Sequence, residues 1–197
     1  MFIWTIGRGV IMKRHVIWVL LASFILSGCV AAVVAGAAGL VVYDKRGVLT
    51  VEKDARIFHV AHTKIVQDRQ FRDSRVLVNS FNRVVLLVGQ TPNASLRMLA
   101  EKIAQEAPNV YRVYDEITIG YPIPLTQRSK DSLITAQVRS MMLTRHDLES
   151  GSIRIVTENG VVYLMGIVTP QQGNMAVDVA RRVNGVRKVV KIFQYIR

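Results

Sequence analysis

Cysteine is almost absent from this chain: Cys29 stands alone among 197 residues. A lone cysteine forms no internal disulfide, and no Cys/His spacing for a zinc site exists around it. The chain has no Arg/Lys block and no RNA-binding aromatic motif, which argues against a nucleic-acid partner. It also lacks a phosphate-cradling glycine loop. Ser150-Gly151-Ser152 is not a nucleophile elbow, because the glycine pattern and the strand-to-helix setting are missing. Acidic residues are scarce as well, 14 against 26 Lys and Arg. Catalysis is not expected, and no metal or cofactor is implied.

What the chain does have begins before the cysteine. Met12-Lys13-Arg14-His15 is a basic start, Val16 to Leu26 is a short apolar run, and small residues follow at Leu26-Ser27-Gly28-Cys29. Together these make a secretory signal, with Met12 as an alternative start to Met1. The last four residues resemble the bacterial lipobox. That resemblance implies cleavage before Cys29 and a thioether-linked diacylglycerol on its sulfur. One acyl chain holds a membrane only marginally, whereas two or more hold it stably. Val30 rather than aspartate follows the cysteine, which resembles the outer-membrane sorting class of Gram-negative lipoproteins. The rival reading is an uncut transmembrane anchor. Val16 to Leu26 is shorter than the ~20 apolar residues a span requires, but joined to Val30 to Val42 it would be long enough, despite Gly28, Gly36 and Gly39. The partition is therefore 1–28 as signal and 29–47 as lipidated tether.

From Cys29 onward the chain keeps all 14 acids and 23 of its basic residues, a surplus of nine positive charges. This balance suits an anionic partner, a phospholipid headgroup or lipopolysaccharide, since export removes nucleic acid from contention. A basic surface that merely aids solubility is the plainer alternative.

The folded part repeats itself. Residues Arg75 to Gly89 align without a gap on Ser152 to Gly166, an offset of 77. Each copy reads as strand, turn, strand, with Val76 and Val78, or Ile153 and Ile155, alternating as in a half-buried strand. Asn159-Gly160 is a strong hairpin turn, and Asn82-Arg83 is a weaker one at the same place. A helix follows each hairpin from Thr91-Pro92-Asn93 or Thr169-Pro170. Leu96, Leu99, Ile103 and Ala107 share a face of the first, and Ala176, Val177, Ala180 and Val183 of the second. Asn109 or Gly185 caps the end, and a strand closes each copy at 111–119 or 188–196. Helices over 52–67 and 129–144 precede the hairpins. The predicted fold class is α+β: two tandem units over 48–120 and 129–197, each a three-stranded mixed sheet with two helices on one face in the order helix-strand-strand-helix-strand. The segment 121–128, with Pro122 and Pro124, reads as a stiff linker.

This pattern resembles the BON domain. The residues that carry it are Val88-Gly89-Gln90, Tyr114-Asp115-Glu116-Ile117, Thr135 to Leu143, and Val156 to Gly160 through Leu164-Met165-Gly166. Two copies behind a lipobox resemble the DolP/YraP-like outer-membrane lipoproteins of Gram-negative bacteria. The resemblance implies no enzyme. It implies a periplasm-facing lipoprotein that supports envelope integrity, with the first helix of its second domain engaging anionic phospholipid. The matching stretch here is 129–144, with Leu133 where relatives can carry a tryptophan.

Charge agrees with that placement. Residues 48–120 carry 10 basic and 8 acidic residues, whereas 129–197 carry 10 and 5. Leu133 lies off the core stripe of its helix and is the candidate lipid-facing residue, with Lys130, Arg139 and Arg145 as basic neighbours. Ile134 is a further candidate, although with Val138 and Met141 or Met142 it also has the spacing of a core stripe. The lipid-attachment candidate is Cys29. His59 and His62 lie one helical turn apart but lack a third metal ligand. His146 and Asp147 read as a loop pair. Asp115 and Glu116, as strand neighbours, point to opposite faces. The competing function is a protein-interaction adaptor for outer-membrane assembly or cell-wall remodelling machinery.

Overall fold

The computed structural model describes residues 47–196. Cys29, the signal and most of the tether lie outside the described residues. The elements run α1 (Val48–Gln67), a 3-10 turn (Arg69–Phe71), β1 (Arg75–Phe81), β2 (Val84–Thr91), α2 (Ala94–Gln105) and β3 (Arg112–Ile119), then α3 (Leu125–Leu143), a second 3-10 turn (Ser150–Ser152), β4 (Ile153–Glu158), β5 (Val161–Val168), α4 (Pro170–Ala180) and β6 (Lys188–Tyr195). In each half the middle strand is antiparallel to the strand before it and parallel to the strand after the helix. These are the expected three-stranded mixed sheets.

Local chemistry sets the boundaries. Asn93 Oδ1 accepts from Leu96 N at 2.9 Å, and Thr169 Oγ1 accepts from Gln172 N at 3.3 Å, so each second helix of a repeat has its N-cap. α3 begins at Leu125, one turn before the expected Ser129, because Pro124 sits extended at its N-cap and leaves the following residues free to enter the helix. The connection between the halves is correspondingly shorter than 121–128.

The turns are held by a device that repeats at the same offset of 77. Asn82 and Arg83 have φ of 48° and 66°, and Asn159 and Gly160 have 50° and 72°. Arg83 is not a residue that favours this conformation. The buried Asp54 carboxylate of α1 compensates by accepting from Asn82 N and Arg83 N, both at 2.7 Å, and from Ser80 Oγ at 3.0 Å. Asp131 of α3 does the same for Asn159 N at 2.7 Å and Gly160 N at 2.8 Å. Gly89 has φ of 127°, and a Cβ there would meet Arg75 O at 1.9 Å, so only glycine fits where β2 pairs with Val76 of β1.

Each sheet has two apolar faces, and both are used. One face of the first sheet packs under α1 and α2 through Val78, Val85, Leu87 and Ile117. The second sheet does likewise under α3 and α4 through Ile153, Ile155, Val162 and Leu164. The other faces meet each other: Phe81, Val84, Leu86 and Val88 pack on Tyr163, Met165 and Ile192. The result is four layers, helices, sheet, sheet, helices, rather than two beads on a stiff linker. Polar groups fix the register at the rim. Arg75 Nη1 meets the buried Glu158 Oε2 at 2.6 Å, and Gln90 Nε2 donates to Glu158 Oε1 at 2.8 Å. Gln90 Oε1 in turn accepts from Ile123 N of the connection at 3.0 Å. Asn82 Nδ2 donates to Gln194 Oε1 at 2.6 Å across the same boundary.

Candidate functional site

α3 lies against the second sheet with Ile134, Val138 and Met142 inward. At about 100° per residue, Leu133 points directly away from Met142. It is 63% exposed, at the centre of the outward face. Ser129, Lys130, Ala136, Gln137 and Ser140 surround it, all exposed. Leu125 and Leu143, at 73% and 66% exposure, extend the apolar surface along one side, and Met141 lies on the other. A surface leucine is ordinary by itself. Leucines at both ends and the middle of the outward side of the helix, interspersed with mostly polar residues and without a covering element among the described residues, form an amphipathic surface.

The other candidates fall in different places. Lys130 is exposed one turn before Leu133. Arg139 is exposed on the opposite flank of the helix and does not converge with Lys130. Arg145 makes a two-point contact with Asp147, Nε to Oδ1 at 2.9 Å and Nη2 to Oδ2 at 2.8 Å. That pairing holds the Asp147 carboxyl below its usual range and raises Arg145, so Arg145 carries a charge already matched. Ile134 is 5% exposed and packs mostly in the core against Gly185, reaching the surface only at the wall of the cleft between α3 and the Asn184-Gly185 turn. Burial wins there because Ile134 shares the inward stripe with Val138 and Met142.

Beside Leu133 and Lys130 an open cleft of roughly 470 Å3 separates α3 from the Asn159-Gly160 and Asn184-Gly185 turns, with Arg187 on its far wall. The Arg187 guanidinium donates to Asn159 O, which holds it at the cleft. Sequence reasoning named these dipeptides only as turns. Their Asn-Gly chemistry predicted bends but not that two bends 25 positions apart would flank one helix.

Asp115 faces the helices, where Arg97 Nε meets Oδ2 at 2.7 Å. Glu116 faces the other sheet, close enough to raise Tyr163 further. His62 stacks on Phe58 with ring centroids 5.0 Å apart. Among the described residues no three metal-ligating side chains come together, and no helix is long and apolar enough to cross a membrane.

The BON domain family model matches residues 53–121 and again 130–197. The chain is 37% identical to the outer membrane lipoprotein DolP of Haemophilus influenzae over 178 residues, 89% of this chain and 92% of the relative. It is also 37% identical to a 21 kDa hemolysin of Actinobacillus pleuropneumoniae over 132 residues, 66% of this chain and 68% of that one. An uncharacterized protein of Anaplasma centrale is 32% identical over 73% of this chain and 93% of its own length.

Proposed function

Because the chain belongs to the BON-domain family, as a dual-domain member of the DolP-like kind, we propose that it is an outer-membrane lipoprotein that supports envelope integrity. The signal over 1–28 is removed, Cys29 carries the lipid, and residues 29–47 tether the folded unit on the periplasmic side. The second BON domain lays the outward face of α3 on anionic phospholipid.

The observation that carries this reading is Leu133, exposed at the centre of a face with no core partner among the described residues and with Lys130 beside it. An apolar side chain at headgroup depth gains by leaving water, and each Lys or Arg near an anionic surface adds about 1 kcal/mol. Arg187 across the cleft extends the positive side. The relatives are named as a lipoprotein and a hemolysin, both consistent with a membrane-associated protein. Co-sedimentation of the unacylated protein with anionic vesicles tests the assignment. Leu133→Asp is expected to weaken pelleting about tenfold, the scale of one partly buried leucine. A folded variant that pellets as well as the parent would remove α3 from the interface.

A further inference from the structure

A second cleft, of roughly 700 Å3, opens in the first domain where α1 ends, the 3-10 turn reverses the chain and β1 begins. Its floor is apolar: Ile65 and Phe71 are buried and Val76 is half-buried, with Val66 exposed on the wall. Arg69 and Arg72 stand exposed at its rim. Arg69 makes no ion pair among the described residues. Arg72 meets only Asp73 at 3.6 Å, and both side chains are largely in water, where such a pair contributes little. Ser74 Oγ also lines the cleft, buried and without a hydrogen-bond partner among the described residues. A buried hydroxyl in that state is costly to leave unmatched.

In the second domain, side chains bridge the corresponding place. Gln172, third residue of α4, donates Nε2 to Asp147 O at 2.8 Å and accepts from Glu149 N at 2.9 Å through Oε1, pinning the loop. Arg145 is tied to Asp147 beside it. The equivalent position of α2 is Leu96, which enters the core and bridges nothing. The two repeats therefore differ at this corner by more than drift in surface residues: in one, Gln172 ties α4 to the loop, and the other presents an apolar floor, the exposed Arg69 and Arg72, an Asp68 held by Gln70, and a buried hydroxyl without a partner among the described residues.

β1 adds a further element. Among the described residues it is the outer strand of its sheet, hydrogen-bonded to β2 alone, and its first residues Arg75 and Val76 line the cleft. We propose that this corner of the first domain docks an acidic peptide segment of a protein partner, extended alongside β1, with an apolar side chain over Ile65, Phe71 and Val76 and carboxylates on Arg69 and Arg72. The open strand edge selects a polypeptide over a lipid, since only a peptide supplies alternating backbone donors and acceptors. Guanidinium pairs well with carboxylate. The cleft belongs to the helical layer on the far side of both sheets from α3, so occupancy is compatible with α3 lying on a bilayer.

The test uses the full chain in zwitterionic detergent micelles and a fluorescein-labelled peptide alternating glutamate with leucine, read by anisotropy. The expected result is saturable binding, no binding of the lysine-for-glutamate peptide, and a loss of about tenfold or more in Arg69→Glu/Arg72→Glu. Val66→Glu, a separate exposed position, is expected to weaken binding as well. All three side chains are exposed, and circular dichroism checks that the fold persists. Absence of saturable binding, or binding untouched by both variants, overturns the proposal. Displacement of the peptide from the cleft by anionic vesicles also overturns it, by assigning the cleft to lipid.

Discussion

Single residues decide whether each repeat closes. Asp54 and Asp131 are buried carboxylates whose partners are mostly backbone N–H groups in turns of positive φ. Asp54→Asn keeps the shape but loses charge-assisted acceptance at Asn82 and Arg83, and is expected to cost about 2 kcal/mol in urea unfolding. Gly89→Ala is expected to be worse, on the order of 3 kcal/mol or more, because backbone rather than a flexible side chain stands 1.9 Å from the new Cβ. Tyr163 gives a pH-dependent counterpart. Burial, with Glu116 and Glu158 nearby, pushes its phenol up to about 12. The folded state thus holds this proton more tightly than the unfolded chain, so its contribution is complete below about pH 10 and is lost as pH rises towards 12. Tyr163→Phe is expected to lose less stability than the parent between pH 10 and 12, measured as the difference between the two proteins in denaturant melts.

Elements were legible where local chemistry and periodicity agree. Asn93 and Thr169 announced their helices, Asn159-Gly160 its hairpin, and the offset of 77 revealed both copies. The outward position of Leu133 also followed from its place off the 134, 138 and 142 stripe. The second face of each sheet was the larger omission. Val84 to Val88 and Val161 to Met165 are continuous apolar runs, the pattern of strands buried on both sides, yet a run does not say what covers its second face. The answer is long-range: the other copy covers it. Asp54 and Asp131 share the repeat offset too, but an acid in a helix looks like a solvated residue until the hairpin is folded over it. The rim contact tests the packing of the elements. Removing Arg75 leaves Glu158 buried without its guanidinium, so Arg75→Met is expected to destabilise by roughly 3 kcal/mol, whereas Arg72→Met, at an exposed pair, is expected to change little.

At the scale of the molecule, the four layers separate two outward surfaces. α3 and its leucines face one way, and the open corner of the first domain belongs to the opposite helical layer. With Cys29 carrying the lipid as proposed, the protein would meet a bilayer with one domain while the other remains available to a partner. Membrane attachment and membrane recognition become separable: Cys29→Ala is expected to abolish lipid modification and shift the protein towards the soluble fraction, while the purified protein keeps its preference for anionic vesicles. The sequence also supplies a clean reporter for that preference. Both tryptophans, Trp4 and Trp18, precede Cys29, so Leu133→Trp in unacylated residues 43–197 places a single indole at the centre of the α3 face. Emission from that indole during titration with anionic and zwitterionic vesicles is the most direct measurement. A blue shift with anionic vesicles and none with zwitterionic ones is the predicted result. An indole that stays in water as the protein pellets with anionic vesicles would contradict the assignment of this face to the membrane.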